Sequence, residues 1–289
     1  MARLFRCFLI IFLIHGAGNE LSSHQQLPTG TPESRGEWLA RQVEHRETGD
    51  DARFEMRMRL YDRQDRVRER VLTMTAIEGG ADRPVVADRT LIRFTYPNDI
   101  EGTGFLVWQR PGEDDERFLY LPALGRVRRI AGSEAQESFV GSDFTYEDIG
   151  GRELGDYSYR LLGDRETWTA PDGASHDVWR LESRHRDADA RYPRVLSLVR
   201  SDNFVVVRAE IHNRRDELQK VYVVRRLEQV DGYWTPLDLE MRDLLQRTRT
   251  ELVIERAGYD VGLSADDFTR RALERGGGAP PRAGPSPRV

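Results

Sequence analysis

The chain has 289 residues and a formal charge of −5, from 44 basic and 49 acidic side chains, with a single cysteine. An acidic balance of this kind argues against nucleic acid or an anionic membrane surface as partner, and one cysteine leaves no disulfide framework. Arginine carries nearly all the positive charge, since Lys220 is the only lysine, and that bias reads as genome composition more readily than as phosphate recognition.

Arg3 and Arg6 precede an apolar run over residues 7–14, and Gly16, Ala17 and Gly18 follow before the chain turns polar. This is the layout of a secretory signal peptide, residues 1–18, cleaved after Gly18. The run falls short of the roughly 20 residues a membrane anchor needs. Cys7 lies within the removed segment and lacks the small residues that precede a lipid-modified cysteine. Export without disulfides points to a bacterial periplasm. Residues 19–33 read as a disordered leader.

About 270 residues remain after cleavage, enough for one large all-β domain or two small ones. Ser34-Arg35-Gly36-Glu37 matches a capping box, and Trp38, Leu39, Gln42 and Val43 follow at helical spacing. A short amphipathic helix is predicted, with Trp38 and Leu39 buried and Gly49 as its stop. The period then changes to two: Phe54, Met56, Met58 and Leu60 alternate with Glu55, Arg57 and Arg59, a half-buried strand. A turn over 62–65 leads to a strand near 66–77, and further strands are predicted near 89–96, 104–110, 117–121 and 126–131. Residues 132–156 contain Gly132, Gly141, Gly150, Gly151 and Gly155 and read as a long ordered loop with one helical turn. Such a loop in a compact domain is usually functional or mobile.

Strands near 157–162 and 177–184 flank the turn Pro171-Asp172-Gly173, and others follow near 194–200, 204–212, 219–229, 233–243 and 249–257. Asp231-Gly232 is a strong hairpin signal. Short links force an antiparallel meander. Ten or more strands exceed what a flat open sheet tolerates, so the sheet curls toward a barrel. Ser264 with Asp267, and Leu263 with Phe268, mark a closing helix. Residues 276–289 read as a disordered tail.

Little reaction chemistry accompanies this pattern. His45, His176, His185 and His212 form no short-spaced ligand pair, so no zinc site is predicted. The acidic run at 113–116 lacks the spacing of a calcium loop, and neither a Gly-x-Ser-x-Gly elbow nor a glycine-rich phosphate loop occurs. Asp143, Glu147 and Asp148 offer an acid and base pair for a carbohydrate-active enzyme. The plainer reading has them cap a turn or pair with Arg126, Arg128 and Arg129. Met56, Met58 and Met74 suit either a packed core or an adaptable wall around an apolar guest.

Residues 118–148 are the most telling stretch. Phe118-Leu119-Tyr120-Leu121-Pro122-Ala123 leads to Arg126-Val127-Arg128-Arg129-Ile130, then Ser138-Phe139 and Gly141-Ser142-Asp143-Phe144-Thr145-Tyr146-Glu147-Asp148. This block resembles the outer-membrane lipoprotein-sorting protein family, the LolA-like periplasmic carriers, and looks most like its longer branch. The resemblance extends loosely from Trp38 to Leu273. It implies a mostly β fold over 34–275: an unclosed antiparallel half-barrel with a few helices covering the concave face. It also implies acyl chains in a hydrophobic cavity between sheet and lid, and a link to inner-membrane exporters.

On this reading the chain is a monomeric, non-enzymatic periplasmic carrier without a cofactor. Its cargo is the acyl chains of a lipoprotein or lipid bound for the outer membrane. An inner-membrane exporter and an outer-membrane acceptor are its expected partners, and nucleic acid is not. The expected cavity wall is Phe54, Met56, Met58, Leu72, Met74, Ile92 and Phe94, with Trp38 in the lid. Tyr120, Phe139, Phe144 and Tyr146 belong to the signature loop, and Arg129 with Asp143 or Glu147 is its expected latch. The expectation requires a hollow left open for a guest. If the space is simply filled, the alternative is a β-scaffold accessory to an exporter or envelope complex.

Overall fold

The computed structural model describes residues 27–79, 87–109, 115–151 and 154–275. The expected signal peptide, most of the leader, the tail and residues 113–114 of the acidic run lie outside them. Helix α1 (Pro32–Glu44) comes first, and its cap is Thr31, not Ser34. Thr31 Oγ1 accepts from Ser34 N at 3.2 Å, and Pro32 takes a first-turn position where a missing N–H is harmless. The helix closes on His45, ahead of Gly49.

Fourteen strands follow among the described residues: β1 (Asp51–Tyr61), β2 (Val67–Ile77), β3 (Asp88–Tyr96), β4 (Gly104–Gln109), β5 (Glu116–Leu121), β6 (Arg126–Ile130), β7 (Tyr157–Leu161), β8 (Glu166–Thr169), β9 (Ser175–His185), β10 (Arg194–Arg200), β11 (Val206–His212), β12 (Leu218–Val230), β13 (Tyr233–Asp243) and β14 (Thr248–Tyr259). Short connections make neighbours of successive strands, and β1 pairs with β14 to join the two halves. The order is β6-β5-β4-β3-β2-β1-β14-β13-β12-β11-β10-β9-β7, with β8 added on β9, all antiparallel. Asp231 and Gly232 have φ of 51° and 90°, as a tight hairpin between β12 and β13 demands. Strand β8 was not evident from the pattern. It is four residues long, too short to show a period, and Pro171-Asp172-Gly173 joins it to β9.

The order ends at β6 and β7, and among the described residues no ladder joins them, so the barrel is unclosed. Laid flat, such a sheet would be roughly 60 Å wide. Instead one cluster of buried side chains runs from Phe105 and Leu119 near one edge, through Phe54 and Leu239, to Tyr157 and Trp179 near the other. The sheet curls around that cluster. Helix α1 closes part of its inner side, crossing β7 where a Cβ on Gly36 would lie 2.6 Å from the Arg160 backbone N, an approach only glycine allows.

The outer face has apolar patches of its own. Ile77, Leu91, Leu106 and Phe118 are covered by Phe268 and Leu273. These belong to a 3-10 turn (Ala265–Phe268), where the Asp267 carboxylate accepts from Ser264 N and Oγ at 2.8 and 3.0 Å, and to a short C-terminal helix (Arg270–Arg275). The closing helix is thus two short pieces, and it covers the outside of the sheet, not the concave face. Strand alternation is the reason: Leu91, Leu106 and Phe118 are out of phase with Ile92, Phe105 and Leu119. Arg93 fastens the helix by donating to the carbonyls of Ala272 and Leu273, each at 3.0 Å.

Candidate functional site

The loop between edge strands β6 and β7 lies across the inner face over its described residues 131–151. It carries a 3-10 turn (Phe139–Gly141) and the one-turn helix α2 (Tyr146–Gly150), whose cap is a reciprocal Thr145–Asp148 box at 2.9 Å each way. Phe139 and Ile149 of this loop meet Met56, Met58, Leu72, Met74, Ile92 and Leu252 around one wholly apolar pocket. Strand register brings the wall together: Met56 faces Leu72, Met74 faces Ile92, and Met58 faces Leu252. Phe94 stands beside it with its ring 5.8 Å from Phe139, while Phe54 packs on Tyr259.

The hollow is not open. Its volume is ≈10 Å³, at the lower limit for a single water. The sheet does not fill it unaided, because the loop supplies the plug: the Phe139 ring packs 5.4 Å from Phe105 and 5.6 Å from Tyr146. Phe144 is fully buried in the same core.

Polar groups hold the plug down. Buried Arg70 donates to the carbonyl of Val140, and burial pushes its guanidinium below the usual arginine range. Val140 itself has φ 49°, a left-handed conformation that strains a β-branched residue by about 1–3 kcal/mol. The Asp143 carboxylate accepts from the hydroxyls of Thr248 and Thr250, and Lys220 Nζ donates to the Asp143 carbonyl at 2.5 Å. Burial raises the Asp143 carboxyl above the usual range, against the two hydroxyls and Lys220, which lower it. Tyr157 donates to Glu147 at 3.1 Å.

The expected latch is therefore corrected. Arg129 reaches Glu116 at 3.9 Å with its side chain 62% exposed, and makes no ion pair with Asp143 or Glu147. Register explains this. Arg129 pairs opposite Phe118 on the outward phase of β6, whereas Arg128, on the inward phase, bonds Glu134 of the loop at 2.6 Å. Tyr120 shares the outward phase and packs with the outer cluster. Trp38 sits edge-on to Trp179 (6.2 Å) and Phe204 (5.9 Å), away from the methionine pocket. Asp143, Glu147 and Asp148 are each engaged in the bonds above, as turn and loop fastenings.

Two polar recesses adjoin the plug. One of ≈330 Å³ is lined by Leu60, Arg68, Asp143, Tyr192, Lys220 and Thr248, among others. The other, ≈1140 Å³, runs between the sheet edges, with Arg117 and Arg129 on one side and His185, Arg191 and Arg214 on the other. The sequence reading missed Arg70, Lys220, Thr248, Thr250, Ile149 and Leu252. Arg70 and Lys220 carried a signal: each occupies an inward-phase position among apolar neighbours, Leu72 and Tyr222.

A family model described only as that of an uncharacterized protein matches residues 86–275. Among solved structures, the chain is similar to a DUF1329 family protein from Desulfovibrio piger, at 30% identity and a TM-score of 0.75. It is also similar to a putative outer membrane lipoprotein-sorting protein domain from Vibrio parahaemolyticus, at 27% identity and a TM-score of 0.75. A LolA superfamily protein from Nitrosomonas europaea shares the fold at 19% identity and a TM-score of 0.62. Each match covers 84% of this chain and 100% of the other. No curated protein matches.

Proposed function

The chain belongs to the DUF1329 family and shares the fold of a LolA superfamily protein, and from that premise we propose a periplasmic, non-enzymatic carrier that shields acyl chains of a lipoprotein or lipid between its sheet and the 131–156 loop. One observation carries the reading: the all-apolar pocket is walled by the sheet but plugged by Phe139 and Ile149 of a loop. Cargo replaces the plug. Burial of those two side chains is worth about 1.5–3 kcal/mol each. An acyl chain of about 16 carbons offers on the order of 10 kcal/mol before ordering costs, so the exchange favours cargo. Release then follows when the loop closes again or a partner grips the chain more strongly. An inner-membrane exporter as donor and an outer-membrane acceptor complete this scheme.

The closed pocket also favours a second reading, a scaffold whose core is simply filled and which docks to an exporter or envelope complex. Native mass spectrometry of protein purified gently from the envelope separates the two. The carrier is expected to retain species with the mass of acylated lipid. Protein that stays empty, even after incubation with excess lysolipid, refutes the carrier.

A further inference from the structure

We propose that one end of the half-barrel, the rim formed by the β1–β2, β3–β4, β5–β6 and β13–β14 hairpins, docks on a lipid surface of no net charge and exchanges cargo with it there. This rests on the carrier reading and adds the place where cargo enters. Five large apolar side chains are 45–57% exposed at these turns: Val67, Tyr96, Leu124, Leu244 and Leu245. None joins the clusters of buried and half-buried apolar residues. Among the described residues only Val261, at the opposite end beyond β14, is comparably exposed. Single apolar residues on a surface are ordinary, but a row of them along one rim marks a contact surface.

The ladders set these turns side by side. Tyr61 pairs with Val67 and Arg249, Val71 with Tyr96, and Gly104 with Tyr120. Eight successive strands, from β6 to β13 in the sheet order, thus carry the four hairpins along roughly 35 Å of rim. Contacts join neighbouring tips: Arg249 reaches Asp65 at 2.6 Å, and a Cβ on Gly102 would lie 3.2 Å from Pro122 Cγ. The Leu244–Leu245 tip is fixed through its backbone N–H groups. Leu244 N donates to the Gln219 carbonyl at 2.7 Å, and Leu245 N to Asp243 Oδ1 at 3.0 Å. Neither bond uses a leucine side chain, so the fold leaves both side chains in water.

The same rim adjoins the way in. The ≈330 Å³ recess lies between the β1–β2 and β13–β14 hairpins, with Asp62 and Gln246 on its walls and Gly141 and Ser142 of the plug loop beside them. One step inward, buried Arg70 holds the Val140 carbonyl of the plug turn, and Met58, opposite Arg70, begins the apolar pocket. Cargo passing from rim to pocket therefore meets the turn it displaces. Charge then selects the surface. In the recess Asp143 and Asp243 are counter-charges to Lys220 and Arg68. At the tips Arg66 pairs with Asp62 and Arg249 with Asp65, while exposed Arg63, Arg126 and Arg247 are mixed with exposed Asp99 and Glu101. Such a mixture exerts no strong pull toward an anionic surface. The apolar tips are also discrete, on hairpins about 10 Å apart. A stable protein partner needs a continuous patch of about 800 Å², whereas fluid lipid takes up each tip separately, with tyrosine and arginine at the headgroup level.

The test uses the chain freed of residues 1–18, the expected signal peptide, and vesicles of phosphatidylcholine and phosphatidylethanolamine in equal parts. Flotation is expected to carry the protein with the vesicles equally at low and high salt. Leu244→Ser with Leu245→Ser should weaken this partition by about 10- to 30-fold, and Val67→Ser with Leu124→Ser by a smaller factor. All four positions are exposed, so neither variant removes a buried contact. Transfer of a fluorescent fatty acid out of the vesicles should slow by a similar factor in the leucine variant. Binding of monopalmitoyl phosphatidylcholine below its micelle concentration, read by native mass spectrometry, should not change, because the pocket wall is untouched. Wild type that stays off the vesicles, or a leucine variant that floats like wild type, overturns the docking surface; lysolipid binding in the same preparation leaves the carrier standing. Absence of bound lysolipid in wild type overturns the carrier, and with it the exchange of cargo at the rim. Flotation only after phosphatidylglycerol is added, and lost at high salt, overturns the apolar contact in favour of an electrostatic one. A concentration-dependent dimer in sedimentation velocity, lost in the leucine variant, assigns the rim to a second copy of the chain instead.

Discussion

Phe139→Ala removes a ring that is fully buried against Phe94, Phe105 and Tyr146 at 5.8, 5.4 and 5.6 Å. Loss of a buried phenyl group costs about 3–5 kcal/mol, so the variant should unfold at lower urea when stripped of lipid. The void it leaves joins the ≈10 Å³ pocket between Met56, Met58, Leu72 and Met74. The same ring competes with an acyl chain for that space, contributing about 1.5–3 kcal/mol to the closed state. Its removal should therefore tighten the apparent Kd for a fluorescent fatty acid by about 10- to 100-fold. Saturating ligand should also restore stability, by about 2.7 kcal/mol at 100 times Kd. Urea unfolding with and without ligand, alongside probe displacement, measures all three effects. Lower stability with no gain in affinity would show that Phe139 is core alone, and the exchange of plug for cargo would be wrong.

Asp143 gives a pH prediction. Its carboxyl is raised by burial, against the Thr248 and Thr250 hydroxyls and Lys220, so the native state binds the proton more tightly than the unfolded chain. The ionised form thus weakens folding at neutral pH, and this penalty fades as pH falls toward the unfolded value near 3.9. Asp143→Asn should unfold at higher urea than wild type at about pH 7 and lose that advantage by about pH 4; equal midpoints at both pH values reject the assignment. Gly36→Ala places a Cβ 2.6–2.8 Å from the Arg160 backbone, and should lower stability by about 1–3 kcal/mol in a thermal melt. An unchanged melt would mean that α1 does not seat on β7 as described.

How much of this was legible follows from how far each signal reaches along the chain. Phe54, Met56, Met58 and Leu60 announce a strand and its buried face by alternation alone, and successive short links fix the register that assembles the pocket wall. Alternation does not say which face is concave. Arg128 and Arg129 were separable by phase, but only the burial of Ile130, two residues from Arg128, marks that phase as inward. Nor does alternation say which side the C-terminal helix covers: the outward patch of Leu91, Leu106 and Phe118 is as apolar as the inner one, and choosing between them is a long-range event. Phe139 has no period around it, and its role depends on a loop that bridges strands far apart in sequence. Whether an apolar sheet face becomes a core or a cavity is decided by such a segment, not by the face. Here that segment is held by hydrogen bonds to Arg70, Lys220, Thr248 and Thr250. Each such bond contributes about 0.5–3 kcal/mol net, so the four together are of the same order as the burial an acyl chain offers, and a plug fastened in this way can exchange with cargo where a core continuous with the sheet would not.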